Sequence, residues 1–266
     1  MNTNITTTGV IARVSSAALL MAVLVCPTPA LAQSSDRWQF TLAPLYLWAT
    51  TIDGKVGARG ETVPVSLDFA DAADNLAAAF TFHVEAHKNR LGFYSDLNFV
   101  RLSTSTQLTA GPAGGVTVDG KVQFDSTTFE AGASFLVREG KPFGLFGGIR
   151  TYTVSPKVEF ITQTVQVAPI DASRTSVTGL VGFFYRPRLG EKWTLLTRSD
   201  IGGGGGMTWS GLVGVEFRPK PWAGLVLAYK GFGIDAGSDS DDQVIREYDL
   251  MYYGPAFALN FHFGGK

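Results

Sequence analysis

The sequence predicts an all-β chain, an antiparallel up-and-down transmembrane β-barrel of about ten strands, with eight or twelve also compatible. Three observations carry this. Apolar and polar residues alternate with period 2 through most of the chain beyond residue 37, the mark of strands with two unlike faces. The connections between those segments are by turns short and long, the asymmetry of an outer-membrane barrel. An export signal at the front is followed by no apolar stretch long enough to cross a membrane as a helix.

The front of the chain comes first. Arg13 is the only charge in residues 1–32, and an apolar run over residues 14–25 follows it, then Pro27, Pro29 and Ala30-Leu31-Ala32. A basic segment, a short apolar core and an A-x-A site make a secretory signal peptide, with cleavage expected between Ala32 and Gln33. Residues 33–266 then form one barrel domain. The apolar run falls short of the roughly 20 residues that a spanning helix takes. Val25 stands before Cys26 where a lipobox requires a small residue, so no lipid anchor is expected. Cleavage removes the chain's one cysteine, leaving no disulfide or thiolate chemistry. It also removes Arg13, so 21 Lys and Arg face 23 Asp and Glu, a net charge of -2. That balance offers nucleic acid no basic surface, and no such partner is expected.

Strands are expected at residues 38–52, 77–88, 91–107, 121–138, 143–161, 174–188, 193–202, 207–218, 222–234 and 246–263. Asn89-Arg90, Glu139-Gly140-Lys141-Pro142, Leu189-Gly190-Glu191-Lys192 and Pro219-Lys220-Pro221 read as tight hairpin turns. Residues 53–76, 108–120, 162–173 and 235–245 read as longer loops, with the glycine run 203–206 as a short exception. Tight turns then all lie at one end, the periplasmic one, and both termini with them. In the 53–76 insertion, "VPVSLDF" adds a strand pair or caps the rim, and residues 70–79 carry a weak helical period.

The faces decide between a soluble sandwich and a membrane barrel. Phe129, Ala131, Ala133, Phe135 and Val137 alternate with Thr128, Glu130, Gly132 and Ser134. Val177, Val181 and Phe183 alternate with Thr178, Leu180 and Gly182, and Trp209, Val213, Val215 and Phe217 with Ser210, Gly214 and Glu216. The first face of each is a continuous apolar band suited to lipid. The second is rich in small residues with scattered charge, suited to a crowded lumen. In lipid the backbone must satisfy its own hydrogen bonds, so strands must close into a barrel. The last strand repeats the pattern, with Phe257, Leu259, Phe261 and Phe263 toward lipid and Ala256, Ala258, Asn260 and His262 toward the lumen.

That aromatic ending resembles the C-terminal signal read by the barrel-assembly machinery, an expected partner alongside outer-membrane lipid, although Gly264-Gly265-Lys266 follow it here. "WQFTLAPLYLWATTIDGKVG", "GFYSDLNFV", "PFGLFGGIRTY" and "EKWTLLTRSDIGGGGG" with "MTWSGLVGVEFRPKPW" resemble a family of small, mostly uncharacterised proteobacterial outer-membrane β-barrel proteins. The resemblance implies fold and outer-membrane location, and no catalytic motif.

The candidate site is the set of inward charges. Glu85, Asp96, Glu130 and Glu216 are placed to meet Arg150, Arg186, Arg198 and Arg218, with Asp200 nearby. Counted from the turns, Glu130, Arg150 and Arg198 fall at mid-height. Desolvated charges persist only when paired, so the cluster is expected to plug a narrow barrel; a selectivity ring or proton path is the functional alternative. No cofactor, metal site or catalytic activity is expected. "GGGGG" at 202–206 lacks the Lys-Ser/Thr of a phosphate loop. "DAGSDSDD" (Asp235, Asp239, Asp241, Asp242) and "DFADAADN" lack fixed calcium-loop spacing and read as solvated acidic loops. The reading is therefore a structural barrel or a narrow porin-like passage for a small solute. A barrel hydrolase is the alternative, although His83, His87 and His262 all fall toward the turn end. A soluble periplasmic β-protein comes third.

Overall fold

The computed structural model describes residues 37–58, 61–110, 116–161, 170–171, 173–237 and 245–264. The expected cleavage point at Ala32 and Gln33 and the aspartates Asp239, Asp241 and Asp242 lie outside the described residues. Short elements open the barrel: β1 (Gln39–Ala43), β2 (Tyr46–Trp48), β3 (Thr51–Ala58), β4 (Glu61–Leu67) and the helix α1 (Phe69–Asp74). Longer strands follow: β5 (Leu76–Lys88), β6 (Leu91–Ala110), β7 (Val116–Leu136) and β8 (Phe143–Ile161). After the two-residue β9 (Ile170–Asp171) come β10 (Arg174–Tyr185), β11 (Trp193–Gly204), β12 (Met207–Lys220), β13 (Ala223–Gly237) and β14 (Ile245–Gly264).

From β5 to β14 each long strand pairs antiparallel with the next, and β1 closes the ring. Thr41 of β1 stands opposite Glu85 of β5 on one side and His262 of β14 on the other. β2 and β3 also pair with β14, so β1, β2 and β3 are pieces of one interrupted wall strand. The wall therefore has ten strands. Pro44 explains the first interruption, since it cannot donate to a ladder.

The 53–76 insertion holds more structure than a loop. β3 runs to Ala58 and β4 folds back on it, with Leu67 opposite Ile52. Asp68 then caps α1, its Oδ1 accepting from the N–H of Asp71 at 2.9 Å. Asn75 O accepts from Ser103 N at 2.8 Å, which brings the chain back to the wall where β5 begins. β4 ends the sheet, and among the described residues its far edge carries no ladder.

Three connections sit differently from expectation. Residues 108–110, read as loop, pair with 116–118, so β6 and β7 run on as a ladder. Pro219 and Lys220 belong to β12 across a register shift between Phe217 and Lys220, and the turn is Pro221-Trp222. A bulge is where a strand tolerates a residue without an N–H. Of the glycine run, Gly202–Gly204 extend β11, with Gly202 opposite Thr208, and Gly205-Gly206 make the turn. The Asn89-Arg90 turn is as read, with Asn89 at φ 54°, a left-handed position that asparagine tolerates.

Alternation sorts the side chains as the sequence implies. On β7, Phe129, Ala133 and Phe135 are exposed, Val137 is exposed just beyond its end, and Glu130 is buried. From Phe129 to Val137 is nine residues, the length of a tilted strand crossing a bilayer, roughly 9–11. Above this band the outward surface turns polar. Arg101 and Asp125 pair there through two hydrogen bonds of 2.8 and 2.7 Å, and Thr153 bonds Thr175 at 2.8 Å. Below it an aromatic girdle rings the turn end: Trp38 lies 6.1 Å from Phe93, Trp193 4.8 Å from Phe217 and Trp222 6.2 Å from Phe261, centroid to centroid.

Gly254 marks where the interrupted strand bends against β14. Its φ is 154°, and a Cβ there would run into the carbonyl oxygen of Ala49, whose N–H donates to Pro255 O at 2.8 Å. Gly254→Ala is expected to cost about 1–3 kcal/mol of stability, through a disfavoured φ and a backbone clash. Gly190→Ala, at an open turn position, is expected to be near neutral. Thermal unfolding of both in the same detergent checks the contrast.

Candidate functional site

The inward side chains meet in three layers. At the turn end, Glu85 of β5 faces Arg186, just past β10 and four wall strands away. Arg186 Nη1 and Nη2 donate to Glu85 Oε2 and Oε1, both at 2.6 Å, a two-pronged bond across the lumen. His83 lies 3.4 Å from Glu85 and 3.2 Å from Asp96. Asp96 also accepts from the Tyr46 hydroxyl at 2.9 Å. A second group gathers on Glu216, which is 1% exposed. It accepts from Arg218 Nε at 2.7 Å and Asn260 Nδ2 at 2.9 Å, and lies 2.8 Å from His262 Nε2. Gly224 makes room for it, since a Cβ there would strike the carboxylate.

The middle layer is the densest. Glu130 of β7 accepts from Nε and Nη2 of Arg150, its register partner on β8, at 2.9 and 2.6 Å. Arg198 reaches the other Glu130 oxygen from β11, three strands away. Arg150 Nη1 lies 2.9 Å from Asp200 Oδ1 as an ion pair and donates to Thr208 Oγ1 at 3.3 Å. Aromatic rings complete the cage. Arg198 sits over Phe146 at 4.1 Å and Tyr94 at 4.6 Å, and Arg150 over Phe232 at 5.2 Å. Such stacking suits guanidinium, which is weakly hydrated and planar. Two arginines and two carboxylates balance, as a desolvated cluster requires.

The loop-end layer is apolar. Tyr152 of β8 and Tyr252 of β14, five strands apart in the ring of ten, bond through their hydroxyls. The Phe232 ring lies 5.8 Å from Tyr152 and 5.9 Å from Tyr252. Ile52, Val154, Ile234 and Leu250 are buried around them, with Trp48, Leu67 and Phe124 packed against the cluster. Beside it the Lys230 ammonium stands over Trp48 at 4.6 Å.

All nine charges singled out from the sequence lie on the described strands or immediately beyond them. The structure joins Glu130 with Arg150, Arg198 and Asp200, Glu85 with Arg186, and Glu216 with Arg218. Asp96 departs from expectation, because its bonded partners are His83 and Tyr46 rather than an arginine. The apolar layer and Lys230 were missed. The inward face is not uniformly small, since Phe232, Tyr152 and Tyr252 share it. Their alternation was visible, yet period 2 alone does not reveal what stands across a lumen. Among the described residues, no group of three or more His, Cys, Asp or Glu is placed to hold a metal ion.

The chain has the fold of an outer-membrane barrel. No protein-family model matches it, and neither does any curated protein sequence. Similar solved structures include the translocator domain of the autotransporter NalP from Neisseria meningitidis, 10% identical over 88% of this chain and 91% of that one, with a TM-score of 0.46. Ail, the attachment invasion locus protein of Yersinia pestis, is 10% identical over 85% and 99%, with a TM-score of 0.32. The outer membrane protease OmpT from Escherichia coli is 9% identical over 85% and 96%, with a TM-score of 0.42. At such identities and scores these likenesses carry no argument. The fold stands on the ladders, the closure and the outward apolar belt.

Removing one member of the buried cluster leaves a charge unpaired. Arg150→Ala, at a side chain 3% exposed, is expected to cost about 3–5 kcal/mol. Arg101→Ala, breaking the outward pair with Asp125 where the arginine is 41% exposed, is expected to cost no more than about 1 kcal/mol. Denaturant unfolding of both variants checks the order, and equal costs would contradict a desolvated cluster.

Proposed function

We propose that this chain is an integral outer-membrane protein whose barrel is closed to solute flow, so that it serves as a rigid membrane anchor for its raised outer strands. In this reading the signal peptide directs export, the last strand engages the assembly machinery, and the nine charges form the plug. The family resemblance drawn from the strand patterns belongs to the same reading. The observation that carries the proposal is contact between non-adjacent wall strands at three heights: Arg186 with Glu85, Arg198 with Glu130, and Tyr152 with Tyr252. Small barrels are filled by side chains rather than left open, and three filled layers leave a porin-like solute no wide path. β6, β7 and β8 continue well beyond the apolar belt, raising one side of the wall above the proposed membrane.

A barrel hydrolase has one geometric point in its favour. Thr41 Oγ1 lies 3.1 Å from His262 Nδ1, and His262 Nε2 lies 2.8 Å from Glu216 Oε1, the order hydroxyl, imidazole, carboxylate. Against it, Thr41 and His262 are directly opposed on neighbouring strands, and Glu216 is already held by Arg218 and Asn260. A fluorophosphonate probe is expected to leave Thr41 unlabelled; labelling there would favour the hydrolase.

Protein extracted from outer membranes is expected to need detergent and to shift in gel migration on boiling. In planar bilayers the wild type is expected to be silent, and Arg150→Ala and Glu130→Gln to leak. Steady, ion-selective conductance in the wild type would replace the plug with a selectivity ring. Recovery in the soluble periplasmic fraction would remove the membrane reading altogether.

A further inference from the structure

The four tight turns carry charge of nearly one sign. Arg90 closes the β5–β6 turn, Arg138 and Lys141 flank the β7–β8 turn, Arg188 and Lys192 the β10–β11 turn, and Lys220 the β12–β13 turn. Glu139 and Glu191 are the acids among them. These six cations are distinct from Arg186 and Arg218, which are bound to carboxylates inside the lumen. Arg138, Lys141, Arg188, Lys192 and Lys220 are exposed. The Arg90 guanidinium lies 4.2 Å over the ring of Phe135, an outward belt residue, and donates to Leu136 O and Val137 O at 2.9 and 2.7 Å. It therefore lies on the outer surface of the wall.

Position matters more than number. Lys141 comes two residues before Phe143, Lys192 directly before Trp193 and Lys220 two before Trp222, all exposed aromatics at the strand ends. Tryptophan and other aromatics at a belt's edge mark the headgroup level. Because the ring has ten strands, successive turns stand two strands apart. Cations thus recur at even intervals around the circumference, and Arg37 before Trp38 stands at the fifth interval, by the closing strands. A polymer docked on one side would need a single patch. An annulus of lipid meets every turn alike.

We infer that the turn end is a basic collar that binds the phosphate headgroups of anionic phospholipids in the leaflet facing the turns. This rests on the proposed membrane insertion, so insertion is scored first in the same vesicles by gel shift on heating. The protein, purified from membranes, is reconstituted in phosphatidylcholine bilayers holding spin-labelled phosphatidylglycerol or spin-labelled phosphatidylcholine, and the immobilised fraction is measured. A basic residue near an anionic surface favours it by roughly fivefold, so even partial engagement should give phosphatidylglycerol an advantage of about threefold or more. That advantage should vanish near about 0.5 M NaCl, where screening acts within about 5 Å. It should also fall to near parity in a variant combining Lys141→Gln, Lys192→Gln and Lys220→Gln, which spares the Arg90 hydrogen bonds. Adding Arg90→Gln tests the remaining turn.

Equal association of the two lipids with inserted wild type would overturn the collar. Retention of the protein on cell-wall sacculi in that case would assign the charges to an anionic polymer instead. A preference for phosphatidylglycerol that survives both variants would also overturn it, placing the contact elsewhere. Failure to insert in either lipid would sink the membrane reading, and the collar with it.

Discussion

A ring of ten strands encloses a space that side chains from opposite walls can bridge, and that dimension governs the interior. Inward side chains meet partners both on the neighbouring strand and across the lumen. A charge placed there must find its counter-charge, and a ring must find another ring. The Glu130 cluster answers this with two arginines and two carboxylates drawn from three strands. Tyr152 and Tyr252 answer it with a contact along a full diameter. The outer surface obeys a separate rule, since it needs only to be apolar over the height of the belt and polar beyond it.

The layers differ in how they tolerate change. The ion-pair layer is costly to assemble, because desolvating charges consumes most of the attraction between them. Once assembled it is specific, since each guanidinium has a small set of oxygens and rings that satisfy it. The apolar layer near the loop end is the reverse, cheap to assemble and forgiving in detail. That layer packs residues of β3, β8, β13 and β14 together, with Phe124 of β7 against them. The turn-end layer is held by Glu85 with Arg186 and by the contacts to Glu216, close to the chain's two closing strands.

Much of this was legible beforehand because strands write their two faces directly into the sequence. Ten strands, the outward aromatics of the last strand and the inward position of Glu130, Arg150 and Arg198 all follow from parity and from turn spacing. Parity does not report depth or the opposite wall, so it does not single out Phe232, Tyr152 and Tyr252 among the inward residues. Asp96 was matched to arginine by charge alone, whereas its position on β6 brings it to His83 and Tyr46. In the 53–76 insertion "VPVSLDF" offers a strand pair or a rim cap, and β3 with β4 is that pair. Pro219 misplaced a turn because a bulge can absorb a proline that a regular strand cannot.

The interrupted first strand gives the cylinder a weak longitudinal seam. Its three pieces share fifteen residue pairs with β14, but β1 shares five with β5, whereas β6 and β7 share twenty. The residues it joins lie far apart along the chain, Thr41 and His262 being separated by 221 positions. Loop-closure entropy grows only slowly with length, so the number of ladder pairs decides which edge parts first. Pulling on the N-terminal end would therefore part a short zip before disturbing the long ones. The barrel is mechanically anisotropic, stiff where β6, β7 and β8 stand and easiest to open between β1 and β5.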